Sequence, residues 1–396
     1  MRWQLIEMLF DVICGKINIE IEKLSIYEDG HMDLPESTII IPSLDPDRTL
    51  VGYVQSLIDH GFQHIIIVND GSQPKCSEIF LELEKKPECI VLRHDKNRGK
   101  GRSLKTAMKY CMANMHNSKG VITVDADGQH AVNDVLRIND AMNASAGKVI
   151  LGSRDFSGEH IPFKSKFGNK VTSRIIQIFH GHYFSDTQTG LRGFPDELLN
   201  SLVNKVAGER YEYEMNVLLY CVHRGIEVEE MKIETIYHDK DNSGSHFRPF
   251  IDSMRIYAII LRSFFFYSLS GILSALLDLA IFTLVVKLIL KNSDAAAIFA
   301  ATIAARACSS IFNYAVNRNV VFRSKSRVTN TVIKYYLLCA VQMSASAGLV
   351  YFFHHFSRID EVLVKAVIDG ILFFASYQIQ KRWVFRPSRR KAVNSI

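Results

Sequence analysis

Five short apolar runs, Ile39–Ile41, Ile65–Val68, Ile90–Leu92, Val121–Val124 and Val149–Leu151, alternate with segments of helical length such as Leu50–His60 and Lys100–Ala113. Short buried strands alternating with helices predict a mostly parallel, Rossmann-like α/β sheet covered on both faces. Beyond about residue 245 the pattern changes. Apolar segments at about 264–290, 295–316, 335–353 and 362–380 each approach or exceed the roughly 20 residues that cross a bilayer. The expected organisation is an unassigned extension at 1–36, an α/β domain at 37–244 and a juxtamembrane helix at 245–263. An all-α membrane domain of four helices at 264–387 and a basic tail at 388–396 complete it.

In the juxtamembrane stretch, Phe247, Phe250, Ile251, Met254, Tyr257 and Leu261 share one helical stripe, and Arg248, Arg255 and Arg262 recur beside it. Such a helix lies on an anionic membrane surface; packing against the soluble domain is the alternative.

Charge orients the chain. The second connection between spans holds Arg318, Arg323, Lys325, Arg327 and Lys334, and the tail holds Lys381, Arg382, Arg386, Arg389, Arg390 and Lys391. The other connections hold few basic residues, so both termini are expected on the cytoplasmic side of the plasma (inner) membrane. The net charge of +6 belongs largely to this region and implies no nucleic-acid partner. Seven scattered cysteines, without a Cys-x-x-Cys pair, fit a reducing compartment. The amino terminus lacks the apolar core of a signal peptide.

In a doubly covered parallel sheet, ligands bind beyond the carboxyl ends of the strands. There the chain carries Pro42-Ser-Leu-Asp-Pro46, Asn69-Asp-Gly-Ser72, Asp125-Ala-Asp127 and Gly152-Ser-Arg154. Turn chemistry favours such residues at any single strand end; four strands delivering them to one edge point to a site. Asp125 and Asp127 lie two apart, on one face of an extended strand, where two carboxylates repel unless a cation joins them. Asn97-Arg-Gly-Lys-Gly-Arg-Ser103 is glycine-rich, basic and opens a helix, a place that receives phosphate. It is neither a Walker loop nor a dinucleotide fingerprint. Together these suggest a nucleotide diphosphate with a divalent metal.

The order of these motifs resembles a family-2 glycosyltransferase of GT-A fold, in the dolichyl-phosphate mannose synthase and polyprenyl-phosphate glucosyltransferase branch, over about residues 37–250. The resemblance implies that Pro42, Asp70 and Val68, with Leu44, Lys100 and Ala126, hold the nucleotide sugar. It further implies that Asp125 contacts both donor and metal, and that Asp127 and Gln129 ligate Mg²⁺ or Mn²⁺, which suit oxygen ligands. The family's first motif often reads Tyr-Asn-Glu where this chain has Leu44-Asp45-Pro46, which leaves the base open.

A hydroxyl acceptor needs a general base, whereas a phosphate monoester is already an anion near neutral pH and needs cations. Arg154, Lys166, Arg192 and Arg248 are the candidate cations, with Lys164 the weakest and His246 set beside Ser245. Glu214 in Tyr211-Glu-Tyr-Glu-Met215 is either a catalytic base, an organiser of the acceptor site or a helix-start acid.

The spans repeat: Asn313–Arg323 aligns with Ser376–Arg386, Phe322 against Phe385, an offset of 385 − 322 = 63 positions. The endings resemble the GtrA family of four-span proteins, thought to help move polyprenyl-linked sugars, over about 262–387. Asp278, Arg306 and Asp369 fall inside spans, and the repeat pairs Arg306 with Asp369, as a functional site or as a structural ion pair.

The favoured reading is an inverting, metal-dependent membrane hexosyltransferase serving cell-envelope glycan or glycoconjugate modification. It moves sugar from a nucleotide donor, UDP-linked first, to polyprenyl (undecaprenyl) phosphate at the cytoplasmic face, and a homo-oligomer is compatible with it. Transfer to a hydroxyl, with Glu214 as base, and a lipid-linked-sugar transporter with a regulatory soluble domain are the rivals.

Overall fold

A computed structural model describes residues 36–115, 118–144, 147–156, 163–234, 249–290, 295–357 and 360–386. The extension at 1–35, His246, Arg248 and the tail lie outside them. The described residues form two compact units. One comprises those of Met1–Asn169 and Ser185–His246, the other those of Lys170–Phe184 and Phe247–Ile396.

The first unit is a seven-stranded sheet of β1 (Thr38–Ser43), β2 (Ile65–Asn69), β3 (Cys89–Arg93), β4 (Gly120–Thr123), β5 (Val149–Arg154), β6 (Arg192–Pro195) and β7 (Val228–Ile233). The strand order is β3-β2-β1-β4-β6-β5-β7. β6 runs antiparallel to β4 and β5, and the other neighbours pair in parallel. Around the sheet lie α1 (Thr49–Asp59), α2 (Ser77–Leu83), α3 (Lys100–Asn114), α4 (Val132–Ala144), α5 (Phe163–His180), α6 (Asp196–Lys205) and α7 (Glu212–Arg224). The C-terminal part of α5 belongs to the second unit.

Alternation explains why this sheet is covered twice. Ile39, Ile41, Ile65, Ile67 and Ile122 enter one core with Leu50, Val54, Leu57 and Phe80. Ile40, Ile66, Val68 and Val121 enter the other, with Leu104, Met108, Val217 and Tyr213. All five expected strands are present. The two additional strands, β6 and β7, lack a run of Ile and Val: one reads RGFP and the other VEEMKI.

The second unit contains α8 (Pro249–Ile260), α9 (Arg262–Leu284), α10 (Ala295–Val316), α11 (Val328–Ser357) and α12 (Glu361–Ile379). Four stretches, Arg262–Lys287, Ala295–Val321, Val328–Phe353 and Val362–Val384, are long and apolar enough to cross a membrane. Their outward faces carry exposed Leu, Ile and Phe side chains such as Leu276, Phe299, Ile333 and Ile371. The third helix starts at Val328, seven residues before the apolar run at 335 that marked it in the sequence.

Among the described side chains of α8, Asp252, Ile256 and Ile260 are buried, and Met254 of the expected apolar stripe is exposed. Tyr257 lies 3.3 Å from the Thr172 hydroxyl, and His180 reaches the Ile260 carbonyl at 3.0 Å.

The repeat has a physical counterpart at the bundle centre. Asn317 and Gln380, related by 380 − 317 = 63 positions, are both buried and share a 3.2 Å hydrogen bond. Phe322 and Phe385, related in the same way, stack at 5.3 Å. Both copies end in a π-helical turn, Asn317–Val321 and Gln380–Val384. Around this axis Ser270 donates to Asn317, Asn313 to Ser274 and Tyr335 to Asn313. Polar side chains joining helices in this way hold bundles together where lipid offers no hydrophobic drive.

Arg306 is not paired with Asp369. Its Nε lies 3.7 Å from Asp278, which also accepts from Ser309. Asp369 instead accepts from Lys365 one helical turn earlier and from Ser346. Both partnerships fall within a hairpin: Asp278 lies on α9 and Arg306 on α10, and Ser346 lies on α11 while Lys365 and Asp369 lie on α12.

Candidate active site

β2, β1 and β4 stand side by side and end at one edge. The loops beyond β1 and β2 are stitched together. The Asp45 amide donates to Ser72, the Ser72 amide to Asn69, and the Gln73 amide to Asp45. Pro42 and Leu44 are half-buried at this edge. Val68 is fully buried in the core, between Pro42 and Leu92 in the sheet.

Asp70, expected to help hold the nucleotide sugar, is engaged within the chain. Its carboxylate accepts from the Arg98 amide at 2.9 Å, the Gly99 amide at 2.7 Å and the His94 ring at 2.6 Å. These bonds shape the glycine-rich segment and launch α3. Gly99 has φ +100°, and a Cβ there would stand 2.5 Å from the Glu209 carbonyl. Asp70 is thus a positioning residue for the loop that carries Lys100.

Lys100 is the hub. Its Nζ lies 2.6 Å from Asp125 and 3.0 Å from Glu214, joining α3, the loop after β4 and α7. Burial alone would lower the Lys100 ammonium, but Asp125 and Glu214 hold it above its ordinary value. Burial would raise the Asp125 carboxyl; Lys100 and His130, whose Nε2 stands 3.4 Å from Oδ2, hold it far below the usual carboxylate range. Asp127 goes the other way: burial and then the neighbouring Asp125 charge push its carboxyl up. Two adjacent carboxyls shifted in opposite directions are a pair lacking one positive charge.

Gly190 forms the wall behind Asp125: a Cβ there would come within 2.3 Å of the Asp125 Oδ2. The Gly190 carbonyl accepts from Thr123 at the end of β4. Asp127 accepts from the Gln129 amide at 3.1 Å, which fixes the turn, and Ala126 packs against the core beneath. Among the described residues no group of three or more His, Cys, Asp or Glu is disposed to hold a metal ion by protein ligands alone.

The candidate acceptor cations divide. Arg154, at the end of β5, makes a two-point contact with the fully buried Asp186, Nε to Oδ2 at 2.6 Å and a terminal nitrogen to Oδ1 at 3.2 Å. It lines a cleft of about 420 Å³ with Lys232, Glu230, Phe156 and Ser185. Arg192 is a correction: it is 1% exposed, and its guanidinium donates to the carbonyls of Thr189, Glu214 and Thr187. An arginine spent on backbone carbonyls holds α7 to β6 and does not face an acceptor. Lys166 is exposed on α5.

Asp125, Asp127, Gln129, Lys100 and Glu214 are therefore gathered in one place, and His130 and Gly190 complete it. His130 directly follows the Asp125–Gln129 motif, and its part shows in its burial and its approach to Asp125. Gly190 was silent, because its importance lies in a non-local approach that a sequence does not print.

A doubly covered, mostly parallel GT-A sheet with acids and a glycine-rich helix start at one edge is an architecture that can receive a phosphate-bearing ligand there. Residues 38–203 match the model of glycosyl transferase family 2, and residues 266–385 match the GtrA/DPMS transmembrane domain. A UDP-N-acetylglucosamine–dolichyl-phosphate N-acetylglucosaminyltransferase of Methanococcus voltae is 30% identical over 217 residues, covering 50% of this chain and 85% of that protein. An uncharacterized protein of Methanocaldococcus jannaschii is 29% identical over 222 residues, 55% of this chain and 89% of that one. The polyprenol monophosphomannose synthase of Mycolicibacterium smegmatis is 23% identical over 203 residues, 49% and 75% respectively. The chain belongs to glycosyl transferase family 2, with a GtrA/DPMS membrane domain following the catalytic one. It is a multi-pass membrane glycosyltransferase.

Proposed function

We propose that this enzyme transfers one sugar from a nucleotide sugar to polyprenyl phosphate, undecaprenyl phosphate in a bacterial membrane, with inversion and at the cytoplasmic face. The observation that carries the reading is the charge pattern around Asp125 and Asp127. With Asp125 neutralised by Lys100 and the Asp127 carboxyl pushed up, the pair fits a divalent cation that brings its remaining ligands from a diphosphate. Asp125, Asp127 and the side-chain carbonyl oxygen of Gln129 would hold Mg²⁺ or Mn²⁺. Bound there, the ion would offset the charge of the departing diphosphate.

The chain's own residues do the rest. Lys100 holds Asp125 in place and stands where a pyrophosphate oxygen would arrive; Pro42, Leu44 and the backbone around Val68 floor the nucleotide site. An acceptor phosphate oxygen bonds to the anomeric carbon as the bond from that carbon to the diphosphate breaks, and the nucleoside diphosphate leaves. No proton has to be removed from the acceptor, since a phosphate monoester is anionic near neutral pH. Glu214, buried and ion-paired with Lys100, suits an organiser better than a base, which favours phosphate over a hydroxyl acceptor. Arg154, held by Asp186, is the cation offered to that phosphate. The basic ends of the spans support a catalytic domain on the cytoplasmic side, where nucleotide sugars are made. The names of the Methanococcus and Mycolicibacterium relatives support a lipid-phosphate acceptor, and the former makes UDP-N-acetylglucosamine the first donor to try.

The test is a panel of radiolabelled nucleotide sugars incubated with the purified full chain, undecaprenyl phosphate and Mg²⁺ or Mn²⁺. Label from one donor should enter the organic phase, and chelation with EDTA should stop it. Nucleotide release with all label left in water-soluble glycosides would replace this acceptor with a hydroxyl.

A further inference from the structure

A cavity of the second unit lies outside the sugar-transfer site. It has a volume of about 690 Å³, opens at the end of the bundle where α10 and α12 finish and α11 starts, and is lined by Lys325, Arg327, Lys334, Arg382, Arg386 and Trp383. Its lining contains five cations and no acid. Among the described residues none of the five is ion-paired with a carboxylate, whereas Lys100 and Arg154 are.

The walls are built rather than accidental. Phe385 is fully buried and packs with Tyr314, Tyr335 and Val384, which fixes the segment carrying Arg382 and Arg386. Ser326 donates to the Arg386 carbonyl at 3.2 Å, tying the loop before α11 to the end of α12. Lys334 sits 5.2 Å from the centre of the Trp383 ring and reaches the Trp383 carbonyl at 3.4 Å. That leaves an indole standing beside a cluster of cations at the rim of an apolar bundle. Indoles favour the level of lipid headgroups.

Positive charge at the inner end of spans serves orientation in any membrane protein, but scattered loop cations would suffice for that. Five converging on one cavity cost mutual repulsion, and a counter-anion removes it. A phosphate monoester carries about −1.5 to −2 charges at neutral pH and three acceptor oxygens, matching such a cluster better than the single charge of an ordinary phosphodiester lipid.

We infer that this cavity in the GtrA-like domain is a binding site for the phosphate monoester headgroup of a membrane lipid, with the chain of the lipid lying along the bundle. Taking polyprenyl phosphate as that lipid rests on the acceptor proposed above. The site gives the membrane domain a task beyond anchoring: it holds the acceptor lipid at the membrane surface.

Direct binding separates this from catalysis. The full chain, in detergent and without donor, is titrated with fluorescent short-chain polyprenyl phosphate, with phosphatidylglycerol and with inorganic phosphate. The double variant Lys334→Gln/Arg382→Gln should bind polyprenyl phosphate at least about tenfold more weakly, the loss expected when charge-assisted hydrogen bonds are removed. Arg323→Gln, a neighbouring cation that does not line the cavity, should bind as the wild type does. Thermal unfolding of the double variant in the same detergent controls for collapse of the bundle, and Lys334→Arg/Arg382→Lys should restore binding if the fold is sound. Equal affinity for phosphatidylglycerol, competition by inorganic phosphate as strong as by the lipid, or unchanged affinity in the double variant would each overturn the inference. Pocket-dependent binding by a wild type that transfers no sugar to this lipid would leave the site standing and remove the proposed acceptor.

Discussion

At the residue scale the site is an electrostatic arrangement around Lys100. Removing its ammonium in Lys100→Met leaves Asp125 and Glu214 facing each other without compensation. We expect a loss of about 2 kcal/mol in stability, less than for a fully buried pair because the Asp125 side chain is 30% exposed. Chemical denaturation of the catalytic domain within the full chain measures it, and Lys100→Met/Glu214→Gln should recover part of the loss. Gly190 makes a complementary case. An added methyl would overlap Asp125, so Gly190→Ala should lower turnover about 100-fold by displacing that carboxylate while leaving the fold intact. A wild-type rate would mean that the position of Asp125 does not matter to transfer. Asp127 could be picked out from its motif alone. The fixed parts of Asp70 and Arg192 could not, because which partner takes a carboxylate or guanidinium is decided by backbone groups distant in sequence.

At the element scale, the five Ile- and Val-rich strands and the four spans were legible because burial on both faces, or in lipid, leaves an unbroken apolar run. β6 and β7 were hidden. β6 is four residues long and begins with a buried arginine; β7, at the edge of the sheet, reads VEEMKI, half of it charged and without regular alternation. On α8, Asp252 takes a buried position that composition assigns to solvent. The repeat was visible as a sequence offset, but its contact was not: identical positions meet because the two hairpins pack about a common axis. The Asn317–Gln380 bond at that axis should contribute on the order of 1 kcal/mol, as interhelical hydrogen bonds in membranes do. Asn317→Leu should therefore lower the unfolding midpoint of the membrane domain in detergent, and Gln380→Leu should add little further. Additive losses would indicate that the two act separately.

At the scale of the whole molecule, a GT-A sheet and a bundle of apolar helices belong to one chain; on the proposed function this joins a water-soluble donor to a lipid acceptor. The central claim is that the sugar ends on a lipid phosphate. It is tested most directly by the mass of the organic-phase product made from undecaprenyl phosphate and the donor that labels it. The account predicts one species heavier than undecaprenyl phosphate by a single sugar residue, released again by mild acid as glycosyl phosphates are, and missing when Asp127 is changed to Asn. A product of that donor carrying the sugar on a hydroxyl, or the same lipid species formed at an undiminished rate by Asp127→Asn, would contradict it.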